Sequence, residues 1–186
     1  MPDILITSLG TEIYYASQLI ADISWTYPID HFWMPQALRH TFGGLLGLAP
    51  QTKGEQSRFK HSYHYDRTIA QPMEEIFTLL RQQELPANPI LSFGQFFDIV
   101  PARSSKGHAL RYIARQWNIP LERILVTGGS GANEDMLRGN TLGVVVANRH
   151  REELSILGDT EHVYLAERPQ AWGILEAIEH YDFLNL

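Results

Sequence analysis

Four short apolar runs, Ile4–Ser8, Ile124–Val126, Leu142–Ala147 and Val163–Leu165, have the length and composition of buried strands. Thr11–Tyr15 follows the first of them across Gly10 and is rich in strand formers, which predicts a hairpin. Arg58–Tyr65 alternates and is aromatic, the mark of a half-buried strand, and Ile90–Phe93 and Phe96–Val100 read as two strands around Gly94. Elsewhere the spacing changes to that of helices. Met34–Leu38 opens one that stops near Gly43-Gly44. Pro72–Gln83 puts Met73, Ile76, Phe77 and Leu80 on one helical face, and Gly107–Trp117 does the same with Leu110, Ile113, Ala114 and Trp117. Glu134–Leu137 starts another helix, and Trp172–Tyr181 closes the chain with an amphipathic one.

In the second half, strands alternate with helices, which implies βαβ units and a parallel sheet. The stretch from about Ile23 to Asp98 reads instead as a mixed α+β insertion. The expected class is therefore α/β: a parallel-sheet core from residues 1–22 and 99–186, with residues 23–98 as an inserted lobe. A chain of 186 residues is long enough for a core and one small lobe. There is no internal repeat and no low-complexity stretch.

Composition narrows the classes. Apolar residues make up 44% and charged residues 19%, a globular balance. The formal charge of −6 and the scattered Lys and Arg argue against a nucleic-acid groove or an anionic bilayer as partner. No stretch approaches the roughly 20 apolar residues of a membrane span. Ile4-Leu5-Ile6 is too short for a signal-peptide core and lacks basic flanks. Cysteine is absent, which removes disulfides and thiolate metal sites and agrees with a cytoplasmic location. The eight histidines show no metal spacing: His61 and His64 fall on opposite faces of a strand, and His108 and His180 read as helix-surface residues.

Three segments carry candidate chemistry. Gly128-Gly129-Ser130-Gly131-Ala132-Asn133 links a buried strand to a helix, and it reads equally as an anion cradle or as a simple tight turn. It is not a P-loop, because no Lys-Ser or Lys-Thr closes it. Lys106, in Ser104-Ser105-Lys106-Gly107, stands just ahead of an amphipathic helix. Its ammonium could neutralise a phosphate or a carboxylate nucleophile; the plain alternative is a solvated lysine, slightly disfavoured because helix N-termini repel cations. Glu55–Tyr65 mixes aromatics with hydrogen-bonding side chains, which suits a sugar but also suits an ordinary strand of a small lobe.

Taken together, Gly10–Tyr14, Phe59–Tyr63, Ser104–Tyr112 and Gly173–Leu184 resemble, in order and along nearly the whole chain, the sucrose-6-phosphate phosphatase family and the similar C-terminal domain of sucrose-phosphate synthases. The resemblance implies a haloacid-dehalogenase-type fold with a cap lobe. In such enzymes an Asp attacks phosphorus, a second Asp serves as acid and base, a Lys steadies the charge, and carboxylates hold Mg2+. Lys106 matches the family's Lys. The glycine loop matches its acidic motif, Gly-Asp-Ser-Gly-Asn-Asp, but Gly129 and Asn133 stand where the family has Asp. Gly offers Mg2+ no side-chain ligand and Asn only a neutral carbonyl oxygen. Glu134 and Asp135 are the residues able to rescue the site if the loop shifts. The nucleophile motif and the Ser/Thr-Gly-Arg motif are not in this sequence; the resemblance puts both, and the central strand of the sheet, upstream of Met1, so a fragment or one half of a split protein is expected.

These readings lead to a degenerate, non-catalytic phosphatase-like domain of a sucrose-phosphate synthase. Lys106 is its vestigial charge stabiliser, and Gly128, Gly129, Ser130, Gly131 and Asn133 form its phosphate loop. The resemblance brings Gln56, Lys60 and Tyr63 to the sugar, while Asp98 and Arg103 either face the ligand or pair with each other. No cofactor is expected of such a domain. Sucrose 6-phosphate or sucrose, the glycosyltransferase domain of the same parent and a separate sucrose phosphatase are the expected partners. The alternatives are a Mg2+-dependent phosphatase completed by an upstream segment, or an interaction scaffold that binds no sugar.

Overall fold

The computed structural model describes residues 2–15, 18–150 and 162–186. They belong to two compact units, Met1–Ser105 and Lys106–Leu186.

The first unit opens with the expected hairpin. Strands β1 (Ile4–Thr7) and β2 (Glu12–Tyr15) pair antiparallel with Thr7 opposite Glu12, and the two-residue β3 (Ile20–Ala21) adds to β2. Ser8, Leu9 and Gly10 all take positive φ in the turn, with Gly10 at 90°. Thr11 holds that turn by donating both its N–H and its hydroxyl to the Ser8 carbonyl, at 3.3 and 2.9 Å. Helix α1 (Ile23–Asp30) is not among the expected elements, since its Trp and Pro residues read as punctuation. It forms because Asp22 caps it, accepting from Trp25 N at 3.2 Å, and because Trp25 and Ile29, one turn apart, are both buried. Those contacts outweigh Pro28, which removes one helical hydrogen bond.

The larger sheet of this unit is antiparallel throughout, in the order β4-β5-β7-β6, with β4 at Leu48–Pro50, β5 at His61–Tyr65, β6 at Ala87–Ser92 and β7 at Phe96–Pro101. Helices α2 (Pro35–Phe42) and α3 (Met73–Gln82) bury Leu38 and Phe42, and Ile76 and Leu80. Phe42 meets Phe97 of β7 at a ring separation of 5.8 Å, and Tyr63 of β5 meets the same ring at 6.2 Å. Phe97, Ile99 and Tyr63 thus define the helix-covered face. Phe77, expected on the inner stripe of α3, is 43% exposed: Ile76 and Leu80 already fill that face. Strand β5 starts later than expected because Ser57 N bonds the Lys60 carbonyl at 3.0 Å, folding 57–60 into a tight turn. Phe93, expected in a strand, sits in the β6–β7 turn at φ 54° beside Gly94 at φ 64°.

The second unit contains the expected parallel sheet, in the order β10-β9-β8, with β8 at Leu125–Gly128, β9 at Leu142–Val145 and β10 at Val163–Leu165. Helices α4 (Lys106–Gln116), α5 (Glu134–Leu137) and α6 (Gln170–His180) accompany it. Adjacent residues of β9 point to opposite faces, and both faces are filled. Val145 packs with Val126 and Leu137, with Leu110 of α4 against them, while Val144 packs with Ala166 and Ala177 of α6. Trp117 and Trp172, expected on inward stripes, are 46% and 61% exposed. Trp117 lies just past the end of α4, and the buried face of α6 consists of small residues, Gly173 and Ala177.

Candidate functional site

Ligands of parallel α/β sheets bind beyond the carboxyl ends of the strands, and the glycine loop occupies that position on β8. From Gly128 the chain passes through Gly129 and Ser130 into a tight turn, Gly131–Asn133, and then into α5. A Cβ on Gly128 would lie 2.6 Å from Asn133 Cβ, so only glycine lets the loop fold back this closely. Asn133 N donates to the Ser130 carbonyl at 2.9 Å, and Asn133 Nδ2 donates to Ser130 Oγ at 3.2 Å. The remaining side-chain oxygen of Asn133 accepts from Lys106 Nζ at 2.8 Å. Lys106 and the glycine-loop residue Asn133, read from two separate motifs, therefore meet. Burial lowers the Lys106 pKa from its ordinary value, and the charge of Asp135 opposes that shift.

The two neighbouring carboxylates are already engaged. Asp135 Oδ2 accepts from Gly107 N at 2.8 Å and so caps the start of α4 from outside the helix. Its backbone carbonyl accepts from Arg111 Nη2 at 3.0 Å. Gly107 is needed for this contact, since a Cβ there would lie 2.5 Å from Asp135 Oδ2. Glu134 pairs with Arg138 one helical turn along. What these residues offer Mg2+ is one neutral amide oxygen that already accepts from an ammonium, a donor set that does not fit a hard dication. Among the described residues, no group of three or more His, Asp or Glu side chains is placed to hold a metal ion.

In the first unit the sugar candidates divide by face. Lys60 Nζ stands 3.9 Å from Asp98 Oδ1, and the Ser62 hydroxyl donates to the same oxygen at 2.5 Å. Ser62 and Asp98 are directly opposite in the β5–β7 register. Burial raises the Asp98 pKa, while Ser62 and Lys60 hold it back. Tyr63 is only 4% exposed and packs on the helix-covered face, away from Ser62. Gln56 is committed to backbone: its Nε2 donates to the Ser62 carbonyl at 2.8 Å and its Oε1 accepts from Ser62 N at 2.9 Å. Arg103 lies exposed in the turn after β7, and Asp98 has Lys60 as its ion-pair partner.

Ser62 was not singled out by the sequence reading, although two-residue alternation from Lys60 along β5 was the signal that could have found it. The buried His61 was set aside as well. It is 2% exposed and stacks on Trp33 at 5.4 Å, and Trp33 Nε1 donates to the Arg58 carbonyl at 2.9 Å. Burial, helped by Arg39, lowers the His61 pKa to about 4, against a hydrogen bond at Pro35.

A parallel sheet covered by helices, an antiparallel α+β lobe and a lysine set against a strand-end loop describe a haloacid-dehalogenase-type phosphatase fold. A haloacid dehalogenase-like hydrolase of Bacillus subtilis shares that fold with a TM-score of 0.56 at 20% identity, over 97% of this chain and 69% of that one. The profile of the family described as Sucrose-6F-phosphate phosphohydrolase matches residues 1–182, and the chain belongs to that family. The crystal structure of the sucrose-phosphatase from Synechocystis sp. PCC6803, in complex with sucrose and phosphate, superimposes with a TM-score of 0.93 at 32% identity, covering 99% of this chain and 76% of that one. "Probable sucrose-phosphatase 1" of Arabidopsis thaliana is 27% identical over 190 residues, 97% of this chain and 45% of that protein. The sucrose-phosphate synthase of Spinacia oleracea is 26% identical over 153 residues, 72% of this chain and 14% of that protein. The chain thus spans less than half the length of these curated relatives. Among the described residues, no helix is long and apolar enough to cross a membrane.

Proposed function

We propose that this chain is a non-catalytic sucrose-6-phosphate phosphatase-like domain of a sucrose-phosphate synthase, acting in sucrose biosynthesis as a sugar-phosphate-binding or regulatory module. One observation carries the reading. The Lys106 ammonium rests on the neutral Asn133 amide, where the family's chemistry needs a carboxylate, and Asp135 and Glu134 are turned to other partners. Such a loop retains the means to hold an anion and lacks the carboxylates that would hold Mg2+. The match to a sucrose-phosphate synthase supports the parentage, and the glycosyltransferase domain of that parent is the natural partner. In this reading residues 23–98 form the cap, and residues 1–22 and 99–186 the core.

A second reading is favoured by a different observation: the relatives that cover 97% of the chain are named as phosphatases. An active, Mg2+-dependent phosphatase would draw its nucleophile from elsewhere in a longer protein. Calorimetric titration with sucrose 6-phosphate, with and without Mg2+ and with a phosphate-release assay alongside, separates the two. Binding that ignores Mg2+ and releases no phosphate is the expected result. Mg2+-dependent binding with phosphate release establishes the phosphatase, and no binding leaves an interaction scaffold.

A further inference from the structure

We propose that Arg149 is a second anion-holding residue of the Lys106 loop, and that it turns a divalent-cation site into a site for a phosphate monoester. The inference rests on the sugar-phosphate-binding reading and names the group that makes such binding independent of metal.

The turn after β9 is fastened to the glycine loop at successive points. Val146 N donates to the Gly128 carbonyl at 3.3 Å, and His150 N donates to the Gly129 carbonyl at 2.8 Å. Between them, Arg149 N closes the turn on the Val146 carbonyl at 3.1 Å. Gly129 has no side chain, and a Cβ built on it would lie 3.4 Å from Val146 Cγ2 and 3.8 Å from Arg149 Cα. The backbone of Arg149 therefore stands against the position from which the family projects a carboxylate. Arg149 is half-buried, and among the ion pairs of the described residues it has no partner.

Charge decides what such a place accepts. Glu134 is paired with Arg138, so the loop's formal charges are the Lys106 ammonium, the Asp135 carboxylate that accepts from Gly107 N, and a guanidinium on a long stem rooted beside Gly129, a net positive balance. Two cations against one carboxylate disfavour Mg2+ and favour an anion, and the planar guanidinium fork matches two phosphate oxygens at once. Free inorganic phosphate and the phosphate of a sugar ester share this chemistry. The ester is favoured where the rest of the domain also contacts the sugar.

The test titrates the whole chain with inorganic phosphate, sucrose 6-phosphate and, as a neutral control, sucrose. Arg149→Ala is expected to weaken both phosphate ligands about tenfold or more, as loss of a charge-assisted hydrogen bond does, and to leave sucrose unchanged. Arg149→Lys should recover part of the loss, since it keeps the charge without the fork. Should Arg149→Ala prove unstable, phosphate protection of Arg149 against phenylglyoxal in the unaltered chain, mapped by mass spectrometry, gives the same answer. Undiminished phosphate binding by Arg149→Ala, or no protection, overturns the assignment while leaving sugar-phosphate binding intact. If the unaltered chain binds neither phosphate ligand, the sugar-phosphate reading itself fails, and the assignment with it.

Discussion

Lys106 Nζ donates to Asn133 Oδ1 at 2.8 Å across 27 residues of sequence, so the first residue of α4 and the glycine loop after β8 form one polar unit. The contact gives the ammonium one neutral acceptor without cancelling its charge. Its charge remains available to an anion, and its burial costs free energy that a carboxylate partner would have offset.

This gives a pH dependence of defined sign. Burial depresses the Lys106 pKa, so the folded chain loses that proton before the unfolded chain does. Folding stability should rise with pH between the depressed folded value and the unfolded value of 10.5, and Lys106→Met should remove the rise. Phosphate affinity should run the other way at high pH, falling as Lys106 deprotonates. Denaturant melts and phosphate titrations at a series of pH values check both; a flat stability profile that Lys106→Met leaves unaltered counts against the buried ammonium.

Restoring the two acidic positions should bring back a metal site. Gly129→Asp is accommodated, because its Cβ comes no closer than 3.4 Å to Val146 Cγ2, and Asn133→Asp puts a charge beside Lys106 without changing shape. The double variant is expected to gain a Mg2+- or Mn2+-dependent increase in Tm that the unaltered chain lacks. Thermal melts with and without the metal decide it, and an identical response of the two proteins would show that loop geometry, rather than charge, excludes the ion.

The Asp135 cap is expected to hold α4 rather than a metal. Asp135→Ala should cost about 1 kcal/mol, the usual worth of a lost helix cap. Gly107→Ala should cost roughly 1–3 kcal/mol, because the new methyl would overlap the Asp135 carboxylate at 2.5 Å. Chemical denaturation measures both, and a neutral Gly107→Ala would contradict the tight packing of α4 on α5.

His61 should make the first unit acid-sensitive. It is buried neutral with a folded pKa of about 4 against 6.5 unfolded, so stability is lost as pH falls from 6.5 towards 4. His61→Phe, which keeps the stack on Trp33, should flatten that limb. Melting temperatures at pH 7.5, 5.5 and 4.5 for the two proteins are the measurement.

Much of the architecture is a local property of the chain and was legible in it. Short apolar runs, helical spacing and glycine punctuation placed the β1–β2 hairpin, the parallel strands and most of the helices, because strand and helix faces repeat within a few residues. Helix α1 escaped, since its stability comes from burying Trp25 and Ile29 and from the Trp25 indole donating to the Gly10 carbonyl at 3.0 Å, none of which local pattern encodes.

The composition of the candidate site was legible as well: Lys106, the glycine loop, and the substitution of Gly129 and Asn133 for carboxylates. Partnership was not. That Asp135 accepts from Gly107 N, 28 residues away, that Gln56 pairs with the Ser62 backbone, and that Tyr63 lies on the helix-covered face of β5 are outcomes of packing that the residue types do not state. Residue types limit what chemistry a chain can carry, but a hydrogen bond needs position to within a few tenths of an ångström, and only packing supplies that.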